Sequence, residues 1–275
     1  MRKASSSIAL AGFALLVAYG CNRERASESG AEMASAAATA NVVTFTAADF
    51  AYSGPSQIPA GLTTLRLVND GAELHHMQLV KLESGKTVED LLAALATPGP
   101  PPDWVSFRGG PNAIDPGTVG SSTQLLEPGQ YAVVCIIPSF YDGVLHVAKG
   151  MYATLEVVPS DAPAVPEPTA DLVMELLDYG FQLSADITAG TKTIEVVNNG
   201  PQWHEVVVAR LAEGKTAADF GAWAESGFQG EPPASFIGGV VALDAGAHSY
   251  FTAEFSEGDY LLLCFLPDVK LCAVD

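Results

Sequence analysis

The chain carries the same segment twice, and this constrains its fold more than any property of its composition. A shift of 129 residues lays one copy on the other without a gap over about 90 positions. Asp49-Phe50-Ala51-Tyr52 falls on Asp178-Tyr179-Gly180-Phe181, and Asn69 and Gly71 fall on Asn198 and Gly200. Gly85-Lys86-Thr87 falls on Gly214-Lys215-Thr216, and Gly129, Tyr131, Cys135 and Pro138 fall on Gly258, Tyr260, Cys264 and Pro267. Turn and core positions keep one offset, so a single fold of about 110 residues is used in tandem. The copies take residues 41–159 and 170–275. The proline-rich stretch 160–169 between them reads as a semi-rigid linker.

Each copy reads as mostly β. Thr63-Thr64-Leu65-Arg66-Leu67-Val68 and its counterpart 191–197 alternate polar and apolar, the period of a half-buried strand. Residues 77–80 and 131–135 are apolar runs suited to interior strands, and Glu127-Pro128-Gly129-Gln130 is a turn. One helix interrupts each copy, opened by capping-box spacing at Thr87 and Asp90 and again at Thr216 and Asp219. With 26 glycines and 18 prolines, turns dominate over long helices. The fold class expected is all-β: two tandem Greek-key β-sandwiches, each with one short interposed helix. The second copy stops before the last strand and reads as truncated, with an unpaired sheet edge.

An apolar fraction of 48% against 16% charged residues excludes a disordered chain. Thirteen basic side chains against 32 acidic ones, a net charge of −19, argue against nucleic acid and suit a partner with a basic surface. At the N-terminus, Met1-Arg2-Lys3 and the apolar run 8–17 have the proportions of an export signal and are too short for a membrane span. The run ends Ala18-Tyr19-Gly20-Cys21, which resembles the bacterial lipoprotein signal. That resemblance implies a signal at 1–21 and lipidation of Cys21, and residues 22–40, small, polar and low in complexity, read as a flexible tether. Asn22 stands where an aspartate holds many such proteins at the inner membrane, which points to the outer one. The expected location is the cell envelope, on the lipid surface, where unpaired thiols tend to oxidise.

The chemistry gathers in the first copy. Cys135 ends an apolar run, ten residues separate it from His146, four more lead to Met151, and a strand follows. Upstream, Asn69-Asp70-Gly71-Ala72-Glu73-Leu74-His75-His76 ends a loop and enters another strand. A thiolate, two imidazoles and a thioether form the soft donor set that suits a trigonal copper site with a weak axial sulfur. Three donors on one loop and a fourth on a separate strand hold the geometry nearly fixed, which favours electron transfer over bond-making chemistry.

These residues resemble the cupredoxins, the type 1 (blue) copper family. Tyr131 four residues before Cys135, the following His146, Gly150-Met151 opening the last strand, and the loop from Asn69 just ahead of a histidine all match. Small blue copper proteins have a much shorter gap between Cys and His, so the ten residues here are a departure. Copper-containing nitrite reductases are similar in using a longer loop, and their His-Val-x-x-Gly-Met stretch is matched by residues 146–151. The resemblance covers 42–158 well and 170–270 as a fold. It implies one copper ion in the first copy, with Cys135, His146 and Met151 among its ligands. For the fourth ligand the offset favours His75, which falls on His204, over His76, which falls on Glu205. A position that accepts glutamate is expected to face solvent, and His75 shares strand parity with Met77 and Leu79.

The second copy keeps His204 and Cys264 but has Asp275 where the first has His146, so it cannot build the site by itself. Cys264 and Cys272 either pair as a disulfide or leave Cys264 a buried thiol, and His248 is expected at the surface. Val134 and Ile136 flank Cys135, so the histidine that couples a type 1 cysteine to further copper ions in nitrite reductases and laccases is missing. No phosphate loop, zinc His-Glu-x-x-His or Gly-x-Ser-x-Gly elbow is present. The expected protein is therefore a membrane-tethered one-electron carrier and not an enzyme. Two alternatives stand beside it: a metal-free binding or scaffolding lipoprotein in which Cys135 and Met151 are core filling, and a copper storage or delivery protein.

Overall fold

A computed structural model describes residues 39–268 apart from Pro98, so the signal, Cys21, most of the tether and Cys272 lie outside the described residues. The first copy forms β1 (Asn41–Ala48), β2 (Ala51–Ser53), β3 (Gln57–Pro59), β4 (Gly61–Asn69), β5 (Gln78–Leu82), α1 (Val88–Leu95), β6 (Val105–Phe107), β7 (Val119–Leu126), β8 (Gly129–Val134) and β9 (Tyr152–Val158). The second forms β10 (Leu172–Leu177), β11 (Gly180–Leu183), β12 (Gly190–Asn198), β13 (His204–Leu211), α2 (Ala217–Glu225), β14 (Ala234–Leu243), β15 (His248–Phe255) and β16 (Tyr260–Leu263). Both helices open with the expected capping boxes, Thr87 with Asp90 and Thr216 with Asp219.

In the first copy β1 runs parallel to β4, which pairs with β7, and this layer faces the sheet β3-β9-β8-β5-β6. Alternation decides what lies between them: Val43, Phe45 and Ala47 of β1 and Leu65 and Leu67 of β4 point inward onto Leu79, Tyr131, Val133 and Leu155. The second copy repeats the layer with β10, β12 and β15, and faces it with β14-β13-β16. Among the described residues β16 is paired only with β13, so its other edge is open.

The described residues form one compact unit. β7 pairs antiparallel with β15, joining the two layers into one eight-stranded sheet. Beside that seam the contacts are reciprocal. The Phe107 N–H donates to Asp244 Oδ1 at 3.1 Å, and the Phe236 N–H donates to Asp115 Oδ2 at 3.2 Å. The Val241 N–H donates to the Gly110 carbonyl, and the Asn112 N–H to that of Gly239. Each pair maps onto the other by the 129-residue offset, so the copies meet through the same patch, as in a two-fold dimer. The 160–169 stretch does not hang free: Glu167 accepts hydrogen bonds from the exposed His248 and from Tyr250 on β15.

Candidate metal centre

Ten residues separate Cys135 from His146, yet the chain brings them together by folding the intervening loop into a narrow excursion of the β8–β9 hairpin. The Val147 N–H donates to the Cys135 carbonyl at 2.7 Å, the His146 N–H to Ile137 at 2.9 Å, and the Ser139 N–H to Val144 at 2.9 Å. Glu73 fastens the loop from the other side. One of its buried oxygens accepts from the Ser139 hydroxyl at 2.9 Å, and the other from the Phe140 N–H at 2.8 Å. Met151 sits at the same corner through its backbone, donating to the His146 carbonyl and accepting from the Cys135 N–H, and it is fully buried.

His75 arrives from the loop before β5. Asn69 shapes that loop by donating to the Glu73 and Ile114 carbonyls and accepting from the Gly71 N–H. Gly71 lets the loop close: a Cβ there would lie 2.4 Å from Asp49 Oδ1 and 2.5 Å from His75 Nε2. His75 Nε2 donates to Asp49 Oδ1 at 2.7 Å, which turns Nδ1 inward.

The result is a focus of three buried donors. His75 Nδ1 and His146 Nδ1 lie 3.2 Å apart, Cys135 Sγ lies 3.4 Å from His146 Nδ1, and the three atoms are all within 4.8 Å of one another. None of the three side chains is exposed, and the Phe50 ring covers His146 at 4.7 Å between centroids. Ligand bonds of about 2.0–2.3 Å are compatible with these separations.

With both rings neutral and the Glu73 carboxyl charged, the donors also conflict unless a cation sits among them. With Nε2–H given to Asp49, His75 presents a lone pair at Nδ1. If His146 carries its proton on Nδ1, its bare Nε2 faces the Glu73 carboxylate 3.5 Å away, and that nitrogen has no hydrogen-bond partner among the described residues. If the proton is on Nε2, two lone pairs meet at 3.2 Å. A positive ion at the focus resolves the second arrangement, leaving each histidine with its outer N–H turned to a carboxylate.

Burial sets the protonation states. It lowers the pKa of both His75 and His146, against the pull of Asp49 and Glu73, so both rings are neutral at pH 7. It raises the Cys135 thiol to about 12, so the sulfur becomes a thiolate only when an ion displaces its proton. Burial also works against the Asp49 charge, but hydrogen bonds from the Ala72 N–H, His75 and the Glu73 N–H hold its carboxyl below the usual value. The buried His-Cys-His group is consistent with one copper ion.

Each copy is an all-β sandwich, and the two share one eight-stranded sheet. No family model matches the chain, and no curated protein matches it. Among solved structures, a dithionite-reduced auracyanin from the photosynthetic bacterium Roseiflexus castenholzii is 24% identical over 45% of this chain and 99% of its own, with a TM-score of 0.31. An azurin, Az-iso2 from the methylotroph Methylomonas sp. strain J, is 19% identical over 44% and 99%, with a TM-score of 0.29. A copper nitrite reductase from Nitrosomonas europaea is 15% identical over 82% and 89%, with a TM-score of 0.28.

Three expectations need correction or addition. His76 does not face solvent: it is 4% exposed, its Nε2 accepts from the Ile136 N–H at 2.9 Å, and burial drives its pKa down to about 3. Glu205 is buried as well and accepts from the Phe265 N–H at 3.0 Å. The strand-parity argument assumed a half-exposed strand, but the second copy covers the outer face of β5, where Gln78 donates to the Ala242 carbonyl. Cys264 is exposed, not buried, and Cys272, its expected disulfide partner, lies outside the described residues. The sequence reading missed Asp49 and Glu73. Asp49 was detectable, since Asp49–His75 and Asp178–His204 keep the same spacing in both copies. Glu73 has Gln202 as its counterpart, and no pattern in the chain marks it.

Proposed function

We propose that the protein is a copper-binding electron carrier whose first copy would hold one ion through His75, Cys135, His146 and Met151. When bound, copper supplies a one-electron couple. The observation that carries this reading is the meeting of two Nδ1 atoms and a thiol sulfur in a buried cluster, with both outer ring nitrogens directed at carboxylates. His75 and His146 stay neutral and fixed, Asp49 and Glu73 orient them, and Cys135 gives up its proton on loading. Phe50 and the surrounding core exclude water, so the donors have little freedom to rearrange between oxidation states. A carrier is favoured over an enzyme because Val134 and Ile136 flank the cysteine and leave no imidazole to link it to a further ion. The reading extends to export, lipid attachment through Cys21 in the cell envelope, and a redox partner with a basic surface drawn by the net charge of −19.

Titration of the metal-free chain with Cu(II), followed by visible absorption, tests this. The expected result is one equivalent taken up with intense blue colour, and loss of that colour in Cys135→Ser and His146→Ala. Tight uptake without colour indicates a storage or delivery protein. No uptake returns the protein to a metal-free binding or scaffolding role.

A further inference from the structure

Tyr52 on β2 brings a hydroxyl group to the wall of the donor cluster. Its ring packs, half-buried, on the core that holds Cys135 and Met151, and its hydroxyl donates to the His76 carbonyl. Gln78 pairs with Val134 in the register of β5 and β8, so His76 and Met77 run alongside Cys135 and Ile136, which brings that carbonyl and its phenol donor to the cysteine. The hydroxyl touches the Cys135 side chain as well. Burial first, and then the neighbouring sulfur, raises its pKa well above the ordinary tyrosine value, while its hydrogen bond works against the burial that raises the thiol. The hydroxyl thus keeps its one proton, with a carbonyl oxygen and a sulfur both in reach.

The repeat provides an internal comparison. The 129-residue offset places Phe181 on Tyr52, and Phe181 packs on the core of the second copy as Tyr52 does on that of the first. The second copy also keeps the cysteine, as Cys264, and the loop histidine, as His204. The scaffold therefore asks for an aromatic ring at this place, and only the copy with the three-donor focus adds an oxygen to it. Nor is that oxygen needed to hold the segment, since the His76 ring accepts from the Ile136 N–H and the Met77 N–H donates to the Pro111 carbonyl. While the thiol is protonated, the phenolic proton belongs to the carbonyl. Once an ion displaces the thiol proton, the charged sulfur becomes the stronger acceptor, and a turn of the O–H about its C–O bond carries the proton across.

We propose that Tyr52 is a positioning residue of the copper centre, whose hydroxyl turns from the His76 carbonyl to the Cys135 sulfur on loading and so sets the reduction potential. The inference rests on the copper reading above. A hydrogen bond to the sulfur draws back electron density that the thiolate gives the oxidised ion, which favours the reduced state. Tyr52→Phe installs the second copy's own residue, so copper uptake should persist. The ratio of Cu(I) to Cu(II) affinity should fall about ten-fold, which lowers the potential by about 59 mV in a redox titration. The sulfur-to-copper absorption should move to longer wavelength, and Phe181→Tyr should change neither quantity. In the full, metal-free chain the infrared S–H stretch of Cys135, assigned by its loss in Cys135→Ser, should shift in Tyr52→Phe. An unchanged S–H band, or uptake by Tyr52→Phe with potential and absorption unaltered, would reduce the hydroxyl to a tie on the His76 backbone and overturn the inference, leaving the copper reading in place. No uptake by the unsubstituted chain would overturn both.

Discussion

The two copies present the same corner twice, once with a complete donor set and once without. Asp178 holds His204 at 2.9 Å as Asp49 holds His75 at 2.7 Å, Asn198 brackets its loop as Asn69 does, and Gly200 closes on His204 as Gly71 closes on His75. Even the backbone N–H after the cysteine is satisfied in both, by the His76 ring in one and the Glu205 carboxylate in the other. The clasp around the histidine thus persists where no second imidazole is described beside it. It belongs to the scaffold first, and a metal uses it second.

The largest effect that sharpens this contrast comes from the paired aspartates. Asp49→Ala and Asp178→Ala should each cost about 1–3 kcal/mol of stability, since each leaves an imidazole N–H without its acceptor. Only Asp49→Ala should also weaken Cu(II) binding, by about 10–100-fold in competition with a chelator. Equal copper affinity in the two variants would break the distinction between the corners. Next come the glycines. Gly71→Ala and Gly200→Ala each put a methyl group about 2.5 Å from a histidine nitrogen, and each should lower stability in urea by roughly 1–3 kcal/mol. A neutral Gly200→Ala would mean that the second clasp is looser than the first.

The smallest effect is one of sign, and it separates His76 from Glu205 in the metal-free chain. His76 has a folded pKa near 3, below its unfolded value, so the unfolded chain binds the extra proton. Its contribution is full above about pH 6.5 and is lost as pH falls toward 3, at up to about 1.4 kcal/mol per unit. Burial raises Glu205 instead, so there the folded chain keeps the proton longer, and stability declines as pH rises above the unfolded carboxyl value. Urea midpoints from pH 4 to 7 should flatten on the acid side in His76→Gln and on the neutral side in Glu205→Gln. Parallel curves for the two variants would contradict the burial of one residue or the other.

Much of this was legible in the chain. The repeat, the strands, the capping boxes and three converging donors followed from offset, period and residue chemistry, because each is written in local spacing. The position of His76 was not legible, since the face it occupies is buried by the other copy and local alternation carries no information about that cover. Nor was Glu73: it matters because it fastens a loop 66 residues away through Ser139, a contact set by the fold and not by spacing. The reciprocal Asp115 and Asp244 bonds were half visible, as matched positions whose crossing over between copies only three dimensions could show.

Those crossed bonds and the shared eight-stranded sheet mean that neither half can melt without stripping partners from the other. Heating should therefore give one cooperative transition, not two. An ion gripped in the first half would raise the temperature at which the second half unravels, protecting a half that contributes no donor to it.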